Sequence, residues 1–452
     1  MPRPRDADRS TPNATPQTSA PPRGARIRRS WQIPLRIVGW LLTLFWAAWW
    51  TLSIEANQLF LGWNTRVPAW RFMGADFLHN YLGVRAWLAG QNPYLTDIGD
   101  WRGSYGYPPL VLVLYVWAAP LRQEVAMVIW MAVIAIGTTV GGWLAWRNRI
   151  ALGLTRVPLA FVTGAMLISM PLVFTMERGQ GDVICLLMMA ATAMLLARPR
   201  SLGRDATIGL CMAIATWVKI YPGFAMLGLL ALRPPRPFAL SVAAALLIGV
   251  IPYRATMQSL HVGSQRDRVS FVTEVRDWLT NPGYAPVQLK SYATIGIDSH
   301  SLSTYWATFW TRAHADRIAR VPGIIGAALV LFPGALWLSA RMYRSPNRER
   351  LAYPYMLWLS AMGTFWMPVS YDYNLFFLLL AAFVVIEVRE SWWAGIVLVA
   401  TAVWWQPFRL GEWLTADLLM ALKLVSLAGI GWSLARRADA VPHDEPAVPV
   451  GT

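Results

Sequence analysis

Residues 34–54 read PLRIVGWLLTLFWAAWWTLSI, a largely apolar run in which Arg36 is the one charged residue. A helix needs about 20 such residues to cross a bilayer. Comparable runs recur as far as residue 434, and only 14% of the 452 residues are charged, against about 25% in ordinary soluble domains. The sequence therefore predicts an all-α polytopic membrane protein.

The apolar runs lie between two polar tails, residues 1–30 and 438–452, and we expect the first tail to be disordered. Residues 31–437 are predicted to form the membrane domain, a bundle of about 12 transmembrane helices of roughly 20 residues each. Its main extracytoplasmic loops are expected at 55–107 and 255–320. The expected spans are 34–54, 124–146, 157–175, 182–197, 237–254, 322–341, 351–368, 372–388, 392–408 and 414–434.

Three other segments are expected to depart from simple spans. A helix is predicted over residues 76–89, where Gly90 closes it. Residues 108–121 begin with two prolines and are short, which favours a re-entrant or tilted helix. Residues 206–232 have arginine on both sides, so the chain must leave and return. We expect two half-helices broken at 218–222, because broken helices are tolerated where they line a cavity.

The formal net charge of +16 comes from arginines gathered in short segments between the apolar runs. Arginine-rich clusters lie, for example, at 147–156, 198–204 and 341–350. Loops rich in basic residues stay in the cytoplasm, so these loops and both termini are predicted to be cytoplasmic. This distribution accounts for the positive charge without nucleic-acid binding, which we do not expect.

The sequence predicts no cofactor and no obligatory metal. Cys185 and Cys211 both fall in apolar runs, where they fit as small core side chains. No Walker-type glycine loop, HExxH or CxxC occurs. No cleavable signal peptide is predicted either, because the first apolar run begins after residue 30 and no small-residue cleavage site follows it.

Unusual polar residues gather in the connections predicted to face outward. The main ones are Asp76, the turn Arg178-Gly179-Gln180-Gly181-Asp182, Lys219, His300 and Asp372. The inward connections hold little besides arginine and turn residues. Because charged groups near a bilayer are costly, such a concentration indicates a functional site. We therefore predict that the chemistry takes place on the extracytoplasmic side.

Asp76 has two compatible interpretations. Aspartate is favoured as a helix N-cap, where it accepts a hydrogen bond from a backbone N–H. An ionised carboxylate within reach of a hydroxyl also serves as a general base, and a helix N-terminus favours that anionic form. Asp182 lies at the start of span 182–197. It is a candidate for the functional site and equally for an N-cap, and the N-cap interpretation is favoured.

Lys219 is one of three lysines in a chain that otherwise uses arginine, and it lies in an apolar run near a proline. It either snorkels toward the membrane surface or supplies a compact cation for a phosphate group. Arg178 is a second candidate for that phosphate, or else a solvated loop residue. His300 is a further candidate, or else an ordinary loop histidine.

Other polar and aromatic residues are candidates for binding a sugar. Gln180 is expected to contact a sugar hydroxyl. Tyrosine rings either stack on a sugar or belong to the aromatic belt at the membrane surface. The tyrosines concerned are Tyr94, Tyr107, Tyr221 and Tyr373.

Several of these segments, in this order, resemble glycosyltransferase family 87, and the resemblance spans residues 34–434. The similar segments are Asp76 with Tyr81, Gly90-Gln91-Asn92-Pro93-Tyr94, Tyr105-Gly106-Tyr107-Pro108-Pro109, Gly179-Gln180, Val218-Lys219-Ile220-Tyr221-Pro222, Ser299-His300-Ser301-Leu302, and residues 367–374. Two departures stand out. Tyr373 and Asn374 occupy places where the family often has histidines, and Ser299 a place where it has asparagine.

The resemblance implies a GT-C-like fold and an inverting membrane enzyme. Such an enzyme moves a hexose (mannose-like) or a pentose from a polyprenyl-phosphate donor to a lipid-linked or glycan acceptor. Asp76 takes the position of the general base, and the donor-phosphate candidates are Lys219, Arg178 and His300. The sugar or acceptor candidates are Tyr81, Tyr94, Tyr107, Gln180, Asp182, Tyr221, Ser301, Asp372 and Tyr373.

The family includes mycobacterial mannosyltransferases, so the resemblance implies a bacterial cytoplasmic (inner) membrane. It also implies membrane lipids as partners and glycolipids of the cell envelope as products. Two alternatives remain open from the residues themselves. One is a secondary transporter with Lys219 and Asp182 as buried coupling charges. The other is a lipid-handling membrane protein that carries out no glycosyl transfer.

Overall fold

The computed structural model describes residues 32–56, 74–93, 105, 107–151, 158–232, 235–259, 302, 320–366, 375–385 and 412–439. Within these ranges the chain is helical apart from turns and short connections, and it contains no β-strand. The prediction of an all-α fold is thus confirmed for the described part of the chain.

The described α-helices are numbered here in chain order. They are α1 Gln32–Ala56, α2 Ala75–Leu88, α3 Pro109–Tyr115, α4 Gln123–Ala151, α5 Leu159–Leu167, α6 Met170–Arg178, α7 Asp182–Leu196, α8 Leu202–Val218, α9 Pro222–Ala231, α10 Pro235–Ser259, α11 Arg320–Arg344, α12 Ala352–Trp366, α13 Phe376–Val385 and α14 Glu412–Asp439. A 3₁₀ turn, Val116–Ala118, continues α3.

Helices α12 and α13 form the centre of the bundle. Every residue from Ala352 to Phe365 is buried, and residues 376–384 of α13 are buried as well. A helix that is apolar on all sides requires such a central position. Helices α4, α6, α7, α9, α11 and α14 pack against this pair, and the buried apolar residues form one core.

The outer helices expose large apolar side chains. Val128 on α4 and Leu329 and Leu336 on α11 are 69%, 72% and 70% exposed. Two helical stretches, Gln123–Ile150 and Gly323–Arg344, are long and apolar enough to cross a membrane. Such exposure fits helices that face lipid, and the expected total of about 12 spans of roughly 20 residues stays a prediction.

The expected break in residues 206–232 is confirmed. Helix α8 ends at Val218, Lys219 takes an extended conformation (φ −145°, ψ 135°), and Pro222 opens α9. Proline fits there because the first turn of a helix does not need its missing N–H. Residues 219–221 therefore form a gap between two helices that carries Lys219.

The predicted span 157–175 is not a single helix, because the chain forms α5 and α6 there. Ser169 interrupts them with an extended backbone, and its hydroxyl donates to the Met166 carbonyl at 2.6 Å. Pro171 then lies in the first turn of α6. A proline at this place cannot donate to the preceding turn, so α5 does not continue.

The N-cap interpretations of Asp76 and Asp182 are both wrong. Gly74 precedes α2 as its N-cap, and Gly181 precedes α7; neither helix has a side-chain cap bond. Both aspartates lie inside the first turn, where the helix dipole still favours a carboxylate. Their side chains are consequently available for partners elsewhere in the fold.

Candidate active site

Asp76 lies in the first turn of α2, and its side chain is 11% exposed. Gly74, just before the helix, has a left-handed backbone (φ 79°) that glycine adopts readily. Asn80 donates its side-chain amide to the Asp76 carbonyl at 2.9 Å. The Asp76 carboxylate is thereby set at the helix start, facing the turn between α6 and α7.

That turn places Arg178 and Gln180 on the carboxylate. Arg178 donates from Nη2 to Asp76 Oδ1 at 3.0 Å and from Nε to Oδ2 at 3.1 Å. Gln180 donates from Nε2 to the same Oδ2. Gly179, between them, has φ 67°, which ends α6 and turns the chain toward α2.

Gln180 also connects Asp76 to Lys219. Lys219 Nζ donates to Gln180 Oε1 at 2.8 Å and lies 3.8 Å from Asp182 Oδ2. Asp182 is fully buried, and the Lys219 side chain is 10% exposed. The ammonium group thus points into the protein. We call Asp76, Arg178, Gln180, Asp182 and Lys219 the polar site.

Aromatic rings cover one side of the polar site. Lys219 Nζ lies 5.8 Å from the centre of the Tyr107 ring, a cation–π distance. His79 stacks on Tyr105 with ring centres 5.4 Å apart, and Tyr105 lies 5.7 Å from Tyr107. The Tyr105 hydroxyl donates to Asn80 Oδ1 at 2.8 Å. These contacts connect the aromatic side to helix α2.

Burial and the neighbouring charges alter two pKa values beside the site. Burial, and next the negative charge of Asp76, raise the pKa of the Tyr107 hydroxyl well above its ordinary value. Burial lowers the pKa of His79. The negative charge of Asp76 raises this pKa, and the positive charge of Arg178 lowers it. Both side chains are consequently held in their neutral forms near neutral pH.

A second apolar layer supports the turn. Trp130 on α4 donates its ring N–H to the Gly179 carbonyl at 2.8 Å. Tyr115 packs against Trp130 with ring centres 4.8 Å apart. Its hydroxyl is buried and has no hydrogen-bond partner among the described residues. This layer holds the backbone between Arg178 and Gln180 in place.

Six of the predicted site residues therefore meet: Asp76, Tyr107, Arg178, Gln180, Asp182 and Lys219. Tyr81 has other contacts, since its hydroxyl donates to the Leu121 carbonyl at 2.8 Å and accepts from Arg85. Tyr221 is buried at the start of α9. Tyr94, His300, Ser301, Asp372 and Tyr373 lie outside the described residues.

The sequence-based list of site residues omitted His79, Tyr105 and Tyr115. One signal for His79 was available, since it lies three residues after Asp76 and residues at that spacing share a helix face. Tyr105 and Tyr115 reach the site only through packing. Among the described residues, no group of three or more His, Cys, Asp or Glu side chains could hold a metal ion.

Fold and site together define a helical protein with exposed apolar helices and buried charges gathered at breaks between helices. Residues 105–290 match the family model of glycosyltransferase family 87. The predicted resemblance is thereby confirmed over this stretch, and the matched family suggests a membrane glycosyltransferase with a glycosyl donor and an acceptor. Arg178, Gln180, Asp182 and Lys219 lie in the matched stretch, and Asp76 precedes it. Searches of curated proteins and of solved structures give no match.

Proposed function

We propose that the protein transfers a hexose (mannose-like) or a pentose from a polyprenyl-phosphate donor to a lipid-linked or glycan acceptor. The transfer takes place on the extracytoplasmic side of a bacterial inner membrane, with both termini in the cytoplasm. The family match supports the reaction class. The arginine-rich segments on the other side of the predicted topology support the orientation.

One observation carries the proposal. A carboxylate and an ammonium group, Asp76 and Lys219, lie on either side of a single amide, that of Gln180. Glycosyl transfer from a lipid phosphate needs a base for the acceptor hydroxyl and a cation for the departing phosphate. The polar site has both at one place.

Asp76 acts as the general base. A carboxylate has about four lone-pair positions, and Arg178 and Gln180 use three of them. One position remains for the acceptor hydroxyl. As Asp76 takes the proton, the hydroxyl oxygen attacks the anomeric carbon from the face opposite the phosphate, and the configuration inverts.

Lys219 stabilises the leaving group. When the bond between the anomeric carbon and the phosphate oxygen breaks, its electron pair remains on polyprenyl phosphate, whose negative charge rises. A cation fixed in place before the reaction stabilises that charge without reorganisation. Arg178 and His300 are proposed to assist Lys219 with the phosphate.

The sugar is proposed to lie against Tyr107, because the Tyr107 ring already contacts the Lys219 ammonium. Aromatic rings stack on the apolar face of a sugar. Asp182, Tyr81 and Tyr221 remain proposed contacts of the sugar or the acceptor. Tyr94, Ser301, Asp372 and Tyr373 are further proposed contacts.

The test uses the purified full chain in lipid nanodiscs with a polyprenyl-phosphate sugar, and mass spectrometry measures released polyprenyl phosphate. Asp76→Asn should lower turnover by about 10²–10⁴-fold, the usual contribution of a general base. Asp439→Asn is the matched control, because Asp439 pairs with Arg341 and its side chain is 50% exposed. Its turnover should equal that of the natural chain.

Two results would contradict the proposal. Full turnover in Asp76→Asn would remove Asp76 as the base. Uptake of a solute into sealed vesicles, without release of polyprenyl phosphate from any donor, would favour a transporter instead.

A further inference from the structure

The side chain of Gln180 lies between two opposite charges. Gln180 is 1% exposed. Its Nε2 donates to Asp76 Oδ2, and its Oε1 accepts from Lys219 Nζ at 2.8 Å. Each end of the amide therefore has a charged partner. The predicted contact between Gln180 and a sugar hydroxyl stays a prediction.

An amide suits this place because it has a donor at one end and an acceptor at the other. The donor end matches the deprotonated carboxylate, and the acceptor end matches the protonated amine. If the amide were turned around, its N–H groups would face the ammonium and its oxygen the carboxylate. The two partners therefore fix the orientation of the side chain.

Gln180 also keeps the two charges apart. Opposite charges at a poorly solvated site attract strongly, and Asp76 and Lys219 both lie in hydrogen-bonding distance of the same amide. If Asp76 and Lys219 formed a direct ion pair, the carboxylate would lose its position toward the acceptor. The ammonium group would equally be drawn away from the phosphate.

We propose that Gln180 is a positioning residue. It is an amide spacer that holds Asp76 and Lys219 apart, each in position for its task in the reaction. The assignment of those tasks rests on the proposed function, whereas the spacing itself does not. In this scheme Gln180 acts through its contacts with the base Asp76 and the cation Lys219. Its effect passes through the two charged residues that it separates.

Several other groups face the spacer. Arg178 holds Asp76 from the same turn, and Asp182 holds Lys219. His79 and Tyr107 lie on the aromatic side of the site. Any measurement of pH dependence at Gln180 includes these groups, so it needs variants that differ at Gln180 alone.

Two substitutions separate the spacing from simple packing. Gln180→Met preserves length and removes both hydrogen bonds, and kcat should fall about 10²-fold, the effect of a small misplacement of catalytic groups. The KM for the donor should stay near that of the natural chain. Gln180→Glu offers only acceptors when ionised but regains one donor when protonated. Its kcat should therefore rise as the pH is lowered, unlike that of Gln180→Met.

Asn148→Leu is the matched control for loss of an amide. Asn148 is part-buried on α4 and donates to the Leu144 carbonyl within its own helix at 3.0 Å. Its kcat and pH profile should match those of the natural chain. The spacer would be refuted if Gln180→Met kept its full kcat, or if Gln180→Met and Gln180→Glu had the same pH profile.

A second measurement needs no turnover. Lysine labelled with ¹³C at Cε gives three signals, because the chain has only Lys219, Lys290 and Lys423. Lys219→Arg identifies the Lys219 signal. If Gln180→Met lets Lys219 pair with Asp76, adding Asp76→Asn should shift this signal more in that background than in the natural chain.

Equal shifts in the two backgrounds would overturn the spacer. The two proposals also fail separately. A chain that releases no polyprenyl phosphate but shows unequal shifts would refute the proposed function and keep the spacer. A chain with full transfer and equal shifts would do the reverse.

Discussion

Arginine and aspartate form ion pairs at both ends of helix α7, but the partners come from very different places in the chain. At its start, Arg178 holds Asp76, which lies 102 residues away in sequence. Beyond its end, Arg204 pairs with the adjacent Asp205 and donates to the carbonyl of Arg198, six residues away. We call Arg204, Asp205 and Arg236 the basic end.

The comparison shows how position decides the role of the same chemical groups. At the basic end, the contacts of Arg204 are local and lie beside the start of α8, and Arg236 of α10 lies 3.8 Å from the Asp205 carboxylate. At the polar site, each ion pair joins two separate segments, and the complete site requires three of them to meet. Such an arrangement depends on packing between distant segments, and it leaves buried charges at gaps between helices, where perturbed groups often mark functional sites.

The largest expected difference between the polar site and the basic end comes from replacing the cation at each. Lys219→Met should lower turnover by about 10²–10³-fold, because the phosphate loses a fixed positive charge. Arg204→Met should leave turnover per folded molecule within about twofold but lower the free energy of unfolding by about 3 kcal/mol, since Asp205 stays buried without its nearest cation. Release of polyprenyl phosphate and denaturant unfolding measure the two effects. Equal losses of turnover would abolish the distinction.

A smaller effect concerns two glycines, one near each end of α7. Gly179 has φ 67°, and an added Cβ would lie 2.8 Å from Phe77 Cβ and 3.2 Å from Gly74 Cα. Gly179→Ala should therefore cost about 1–3 kcal/mol of unfolding free energy and lower turnover with it.

Gly203, near the basic end, is the matched control. Nothing lies within 4 Å of a Cβ added there. Gly203→Ala should be neutral or stabilising by up to about 1 kcal/mol. The same denaturant titration measures both variants, and a stable Gly179→Ala would show that the turn tolerates a side chain.

The smallest effect is a pH dependence beside the polar site. Burial lowers the pKa of His79 below its ordinary 6.5, so the unfolded chain binds more protons between those two pKa values. The contribution of His79 to stability is therefore complete above about pH 6.5 and is lost as the pH falls. Melting temperatures measured from about pH 8 to about pH 5 should fall less in His79→Phe. Identical dependence of the melting temperature on pH in His79→Phe and in the natural chain would refute this contribution of His79.

The prediction of the fold succeeded where local chemistry decides. Pro222 and the flanking arginines indicated the break at Lys219, and Gly90 indicated the end of α2. The division of 157–175 was missed because the apolar pattern runs through Ser169 and Pro171 without a change. Apolar periodicity does not reveal an interruption whose polar groups are satisfied locally, as Ser169 is by Met166.

The predicted site residues that lie together in the structure are those that are unusual where they stand. Asp76, Gln180, Asp182 and Lys219 are polar groups beside apolar runs, and the structure brings them together. Tyr81 was grouped with them because of the resemblance, yet its hydroxyl is bound to the Leu121 carbonyl. A tyrosine on the same helix as Asp76 can face a different neighbour, and the sequence does not specify which one.

By itself, the sequence determined the class of fold, the positions of most helix ends and the clustering of unusual polar residues in a few connections between helices. Each follows from hydropathy, turn chemistry or the cost of burying charge, which act over a few residues. Only the tertiary structure decided that Gln180 lies between Asp76 and Lys219. That contact depends on how α2, the α6–α7 turn and the end of α8 pack, and packing joins positions that are distant in sequence.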